Sequence, residues 1–171
     1  MFKKLAFYIL SRVMSHQTWA RMRGAEIGLN CKIYSNLGSS GEPWLIKIGN
    51  NVTISADVRL VTHDGSGVLV SDSHGRRYRY GRVEIGDNVF IGIGSIIMPG
   101  VTIGDFVVVG AGSVVTKDVV SNTIIAGVPA KPISTFEEFE KKARLWPTES
   151  QIKSKKYRQR VQYCLDFKTD E

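Results

Sequence analysis

The imidazole of His63, within Val61-Thr62-His63-Asp64, is the side chain best suited to proton transfer in this sequence. An imidazole changes charge near neutral pH and can serve first as a base and then as an acid. Standing alone, a histidine in a polar segment is a hydrogen-bonded loop residue, so His63 needs a scaffold and an oriented partner to do chemistry. Two carboxylates are candidates. Asp64 is its neighbour, and Glu42, in Gly41-Glu42-Pro43-Trp44, stands about one structural repeat earlier. Ordinary turn chemistry is the competing role for both. The other histidines, His16 and His74, fall in a helical stretch and a long loop, so the spacing offers no close metal triad. Cys31 and Cys164 are too few for a disulfide framework and suit a reducing, cytoplasmic setting.

The scaffold is legible as a period. An aliphatic residue recurs every sixth position at Ile48, Ile54 and Leu60, then at Ile85, Ile91, Ile97, Ile103, Val109 and Val115. Six is too short for a helical repeat and too strict for ordinary strands, and it indicates a parallel β-solenoid of hexapeptides. Each hexad supplies a short strand and a bend, and three strands close one coil. Val52, Val58, Val89, Ser95, Val101, Val107, Ser113 and Val119 are expected to point inward with the aliphatic series. Cys31, four residues after Ile27, takes an inward packing position by the same logic.

Two breaks in register locate insertions. Ile33 and Ile48 are separated by more than whole hexads, which requires an insertion around Gly38-Ser39-Ser40-Gly41. Leu60 and Ile85 are one residue out of register, and an outward loop of about residues 64–82 follows, polar and basic toward its end. The expected organisation is a helical cap over 1–25, the solenoid over 26–133, and a helical extension over 134–171. Phe2, Leu5, Ala6, Ile9, Val13 and Met14 lie at helical spacing, which fits a cap or peripheral membrane contact. No cleavable leader or bilayer-length span is expected there. Thr135-Phe136-Glu137-Glu138 carries a capping box, with Phe136, Phe139, Ala143 and Trp146 on one face up to Pro147. A second, basic helix is expected from about Ser150 to Asp166, with Ile152, Tyr157, Val161 and Leu165 on its packed side.

A formal charge of +7 admits nucleic acid, a membrane surface or a phosphorylated ligand as partner. The loop Arg76-Arg77-Tyr78-Arg79-Tyr80 interleaves cations with aromatics, a pattern that could stack bases. Edge packing or contact with an anionic ligand is the preferred reading, and no nucleic-acid partner is assigned.

The hexads, Val61-Thr62-His63-Asp64, Ile85-Gly86-Asp87-Asn88-Val89-Phe90-Ile91-Gly92, Gly110-Ala111-Gly112-Ser113-Val114-Val115-Thr116-Lys117-Asp118 and Ala126-Gly127-Val128-Pro129-Ala130-Lys131 together resemble the hexapeptide-repeat acyltransferases. Within that superfamily the chain is similar to maltose and galactoside O-acetyltransferases and to sugar O-acetyltransferases of capsule and lipopolysaccharide synthesis. The resemblance implies a mainly β fold, a left-handed parallel β-helix with N-terminal and C-terminal α-helices. It also implies a homotrimer with sites in clefts between prisms, acetyl-CoA as acyl donor, no required metal, and a saccharide acceptor, free or lipid-linked. His63 matches the family's catalytic histidine. Ala111, Thr116 and Lys117 match donor-contact positions, as do Ile93, where a serine is common, and Lys131, where arginine is common. Asn36, Glu42 and Asp64 are assigned to the acceptor side. The alternatives are an inert structural solenoid and a γ-class carbonic-anhydrase-like metalloenzyme, since that family shares the solenoid.

Overall fold

A computed structural model describes residues 14–37 and 41–167. Three parallel sheets wrap around one apolar interior. The first face stacks Glu26–Ile27, Ile46–Ile48, Val83–Ile85 and Thr102–Ile103. The second stacks Lys32–Ile33, Thr53–Ile54, Phe90–Ile91, Val108–Val109 and Thr123–Gly127, and Ala130–Thr135 then returns antiparallel along its end. The third stacks Arg59–Leu60, Ile96–Ile97 and Val114–Val115. Most of these strands are two residues long, far too short to stand alone. Pairing with the coils above and below satisfies their backbone groups, so the stack is the cooperative unit.

The period of six appears directly in the register. Ile27, Ile48, Ile85 and Ile103 align on one face, and Leu60, Ile97 and Val115 on another. Ile54, Ile91, Ile97, Val109, Val52, Val89 and Val107 are buried in the same cluster. Every inward position expected from the hexads, from Val52 to Val119, is buried. Two of those positions are polar and are satisfied locally: Ser95 and Ser113 both donate to the carbonyl of Gly110, at 3.0 and 2.6 Å. Cys31 is half-buried against the cluster.

Corners explain the polar residues of the repeat. Three residues after an inward aliphatic the backbone turns left-handed, with φ +55° at Asn51, +58° at Asn88 and +70° at Gly94. Asparagine and glycine tolerate that region at low cost. At one edge the side chains also stitch coils together. Asp87 Oδ1 accepts from the Asn50 amide at 2.6 Å, and Asp105 Oδ1 from the Asp87 amide at 2.7 Å. Phe106 occupies the same left-handed position at φ +54°, where its ring packs edge-on against Phe136 at 5.3 Å.

The ends differ in part from expectation. Phe2, Leu5, Ala6, Ile9 and Val13 lie outside the described residues. The helix at this end is His16–Met22, capped by Ser15, and it buries Trp19 and Ala20. At the other end the Thr135–Glu138 capping box opens the helix Phe136–Ala143, with Trp146 just past its end and edge-on to Phe139. The expected second helix is broken: Glu149–Ile152 and Tyr157–Asp166 are separate, with Lys156 extended at ψ 155°. Three lysines around Ser154 repel one another at this point, and serine competes with helical hydrogen bonding. The expected packed stripe also fails, because Tyr157, Val161 and Leu165 are 80%, 42% and 73% exposed. Among the described residues nothing supplies the apolar partner that the pattern implied.

Candidate active site

His63 occupies a point where the coil is abandoned. Leu60 is a normal inward residue, but three positions later the chain continues extended instead of turning left-handed. His63–Asp64 then pairs antiparallel with Arg79–Tyr80, and Ser71–Asp72 with Gly75–Arg76. The inserted segment is therefore a two-part hairpin rising from the prism edge. Its base places Tyr80 opposite His63, with ring centroids 6.1 Å apart.

Glu42 arrives from the preceding coil. Its Oε2 accepts from the hydroxyl of Thr62 at 2.6 Å and lies 2.9 Å from Nδ1 of His63. The Thr62 hydroxyl does most to hold the Glu42 carboxyl below the ordinary glutamate value. Burial opposes that, and His63 adds a smaller lowering. An ionised carboxylate only accepts hydrogen bonds, so the shared contact assigns the proton to Nδ1 of His63 and leaves the Nε2 lone pair free. The imidazole is half exposed and Glu42 largely covered. This arrangement fixes one edge of a base and offers the other to a ligand.

A cleft of about 440 Å³ lies against the imidazole, lined by Asn36, Leu37, Gly41, Thr62 and His63 with the strand Arg59–Leu60. Asn36 thus reaches the site. Asp64 has a partner in its own turn: its Oδ1 caps Gly65–Leu69 through the Ser66 amide at 2.9 Å, and the Ser66 hydroxyl first, then that amide, hold its carboxyl below the usual range. The structure gives Asp64 turn chemistry and Glu42 the contact with His63.

The donor-side positions do not converge on His63 within one chain. Ile93 and Ala111 stack on the edge between the second and third faces, where the Gly112 amide donates to the Ile93 carbonyl at 2.8 Å. Lys131 joins that edge through its pairing with Ala126, next to Gly110. Thr116 and Lys117 follow Val115 on the edge that carries His63, two coils away, or roughly 10 Å at 4.8 Å per coil. Ile93, Ala111, Thr116, Lys117 and Lys131 are all exposed, and neither lysine has a carboxylate partner among the described residues.

Thr62, Gly41 and Tyr80 were not singled out by sequence. Threonine before His63 reads as a strand residue, and only the return of Glu42 reveals its hydroxyl contact. Gly41 is small for a packing reason: a Cβ there would meet Cε1 and Nδ1 of His63 at 3.1 and 3.2 Å. His74 is far out on the hairpin beside Asp72, with its side chain 83% exposed. Among the described residues of one chain no three His, Cys, Asp or Glu side chains converge. The basic run is partly spent within the hairpin, Arg77 on Asp72 and Arg76 over the Tyr78 ring at 5.0 Å. No described helix is long and apolar enough to cross a membrane.

Comparison with known proteins agrees with this architecture. The family model described as bacterial transferase hexapeptide (six repeats) matches residues 82–117. Protein CapG of Staphylococcus aureus is 49% identical over 142 residues, 82% of each chain. The galactoside O-acetyltransferase of Escherichia coli (strain K12) is 36% identical over 119 residues, 69% of this chain and 58% of that enzyme. Among solved structures, a hexapeptide-repeat acetyltransferase of Vibrio cholerae O1 biovar eltor complexed with acetyl coenzyme A superposes with a TM-score of 0.52 at 29% identity. That match covers 66% of this chain and 61% of the other. With three stacked faces, an exposed imidazole held by a carboxylate, and a relative matched along four-fifths of its length, the chain belongs to the hexapeptide-repeat acetyltransferases and is an acyltransferase.

Proposed function

We propose that this enzyme transfers the acetyl group of acetyl-CoA to a hydroxyl of a saccharide, with His63 as general base. The single observation that carries the reading is the 2.9 Å contact of Glu42 Oε2 with His63 Nδ1, which leaves Nε2 free at the cleft. Nε2 takes the proton of the acceptor hydroxyl as its oxygen forms a bond to the acetyl carbon. The carbon–sulfur bond then breaks, and the departing thiolate recovers that proton from the imidazolium. Glu42, ionised, stabilises the charged imidazole between the two transfers. Lys117 and Lys131 would meet the phosphates of the donor, with Ile93, Ala111 and Thr116 along its groove. The saccharide class follows the galactoside-modifying relative, and the donor follows the relative solved with acetyl coenzyme A.

The separation of the donor positions onto two prism edges supports a homotrimer in which neighbouring copies face one another across each site. In this reading the trimer works in the cytoplasm on a precursor of a bacterial surface polysaccharide. An inert solenoid would have no use for an imidazole fixed by a carboxylate and a hydroxyl.

Thiol release from acetyl-CoA over a panel of sugars tests the proposal, with the parent compared against His63→Ala. The expected loss is at least about 100-fold, the usual range for removing a general base. Turnover retained in that variant removes His63 from the mechanism.

A further inference from the structure

The cleft at His63 does not end at Asn36. A second cleft of about 400 Å³ is lined by His16, Tyr34, Ser35, Asn36, Asp57, Val58 and Arg59. Asn36, Val58 and Arg59 line both. The two clefts therefore share one wall, and each is the size of a small-molecule site. The second lies at the Asp57 corner, between the second and third faces, and extends to His16 at the start of the helix His16–Met22.

Its chemistry is that of a surface awaiting hydroxyl groups. Among the described residues, the side chains of His16, Tyr34, Asn36, Asp57 and Arg59 make no hydrogen bond or ion pair with the rest of the chain. Ser35 differs: it donates to the Ser55 carbonyl at 2.6 Å and accepts from the Val58 amide at 2.8 Å, which fixes one wall of the second cleft. Asp57 sits at a corner with φ +59°, and Arg59 follows on the adjoining strand. One carboxylate, one guanidinium, one amide and one imidazole give both acceptors and donors, with the exposed ring of Tyr34 beside them. A purely anionic ligand would leave Asp57 repelled, and an apolar one would leave five polar groups unpaired. Neighbouring ring hydroxyls, each a donor and an acceptor, suit the mixture.

We propose that this second cleft is a sugar subsite, so that the acceptor is a saccharide of at least two units, one presented to His63 and another held by His16 and Asp57. The inference rests on the saccharide reading above and adds acceptor length to it.

Two measurements test it. Acetyl transfer is followed with glucose, maltose and maltotriose, and with galactose and lactose, in the parent, His16→Ala, Asp57→Asn and the double variant. Binding of the same sugars is followed without turnover by saturation-transfer NMR. In the parent, kcat/KM should rise about 10-fold from monosaccharide to the longer sugars in at least one series, the worth of one or two added hydrogen bonds. The double variant should lose that gain while its monosaccharide kcat/KM stays within about twofold. Equal rates for short and long sugars in the parent, or an equal fall for both in the variants, overturns the subsite while leaving acetyl transfer intact. No thiol release with any of the sugars counts against the acetyl-transfer reading instead. The NMR arm then decides the groove: a length-dependent signal lost in the double variant supports it, and no such signal overturns it.

Discussion

Glu42 and His63 are 21 residues apart in sequence, yet Oε2 of one lies 2.9 Å from Nδ1 of the other. The contact is indirect in origin. Glu42 precedes the turn Pro43–Leu45 in one coil, and His63 follows Leu60 in the next, so coil stacking sets the distance. Replacing Glu42 by Gln keeps the shape but offers an uncharged amide, which no longer stabilises an imidazolium. A fall in kcat of about 100-fold is expected, with little change in melting temperature, by initial rates and thermal unfolding.

Thr62 shares the same carboxylate oxygen and acts through it. Thr62→Val should lower kcat about 10-fold, the worth of one hydrogen bond, with donor KM unchanged and activity recovered in Thr62→Ser. The acid side carries a second signature. Glu42 is depressed in the folded state, so its stabilisation is present above the ordinary value of 4.5 and is lost as pH falls through the depressed one. Thr62→Val removes the main cause of the depression. Melting temperatures followed below pH 4.5 should therefore fall more steeply in the parent than in the variant; parallel curves would contradict the linkage.

Gly41 sets the room available to the imidazole. In Gly41→Ala the new carbon would stand 3.1 Å from Cε1, so the ring or the segment must move. Displacing a base by a fraction of an ångström costs roughly 10- to 100-fold in rate. Unfolding should be nearly unchanged, since Gly41 is exposed and has no need of the left-handed backbone.

Alternation along a coil is open to a paired test. Ile91 is fully buried and Phe90, its neighbour, is 45% exposed. Ile91→Ala should cost about 2–5 kcal/mol by denaturant titration. Phe90→Ala should cost about 1 kcal/mol or less. Reversal of that order would put the strand Phe90–Ile91 in the opposite register.

Light scattering measures the assembly. Three copies of the 19.0 kDa chain give a mass of about 57 kDa, which is the expected value. A monomer of full activity would show that each chain completes its own groove.

Sequence alone determined the coil. A six-residue period in apolar side chains admits one way of burying them all, so the inward positions from Ile48 to Val115, and the corner residues between them, followed from the order of amino acids. It also offered His63, where the register fails and where the family resemblance places a catalytic histidine, with Glu42 and Asp64 as partners and no choice between them. Tertiary structure made that choice. Stacking carried Glu42 onto the imidazole and Thr62 onto Glu42, while Asp64, though adjacent, was drawn into capping its own turn. The same holds for the two clefts that share Asn36, Val58 and Arg59 and for the uncovered stripe at Tyr157, Val161 and Leu165. Periodicity is a local property written into every hexad, whereas contacts between coils depend on how many residues intervene and where each insertion leaves the prism. Those distances exist only once the chain has closed on itself.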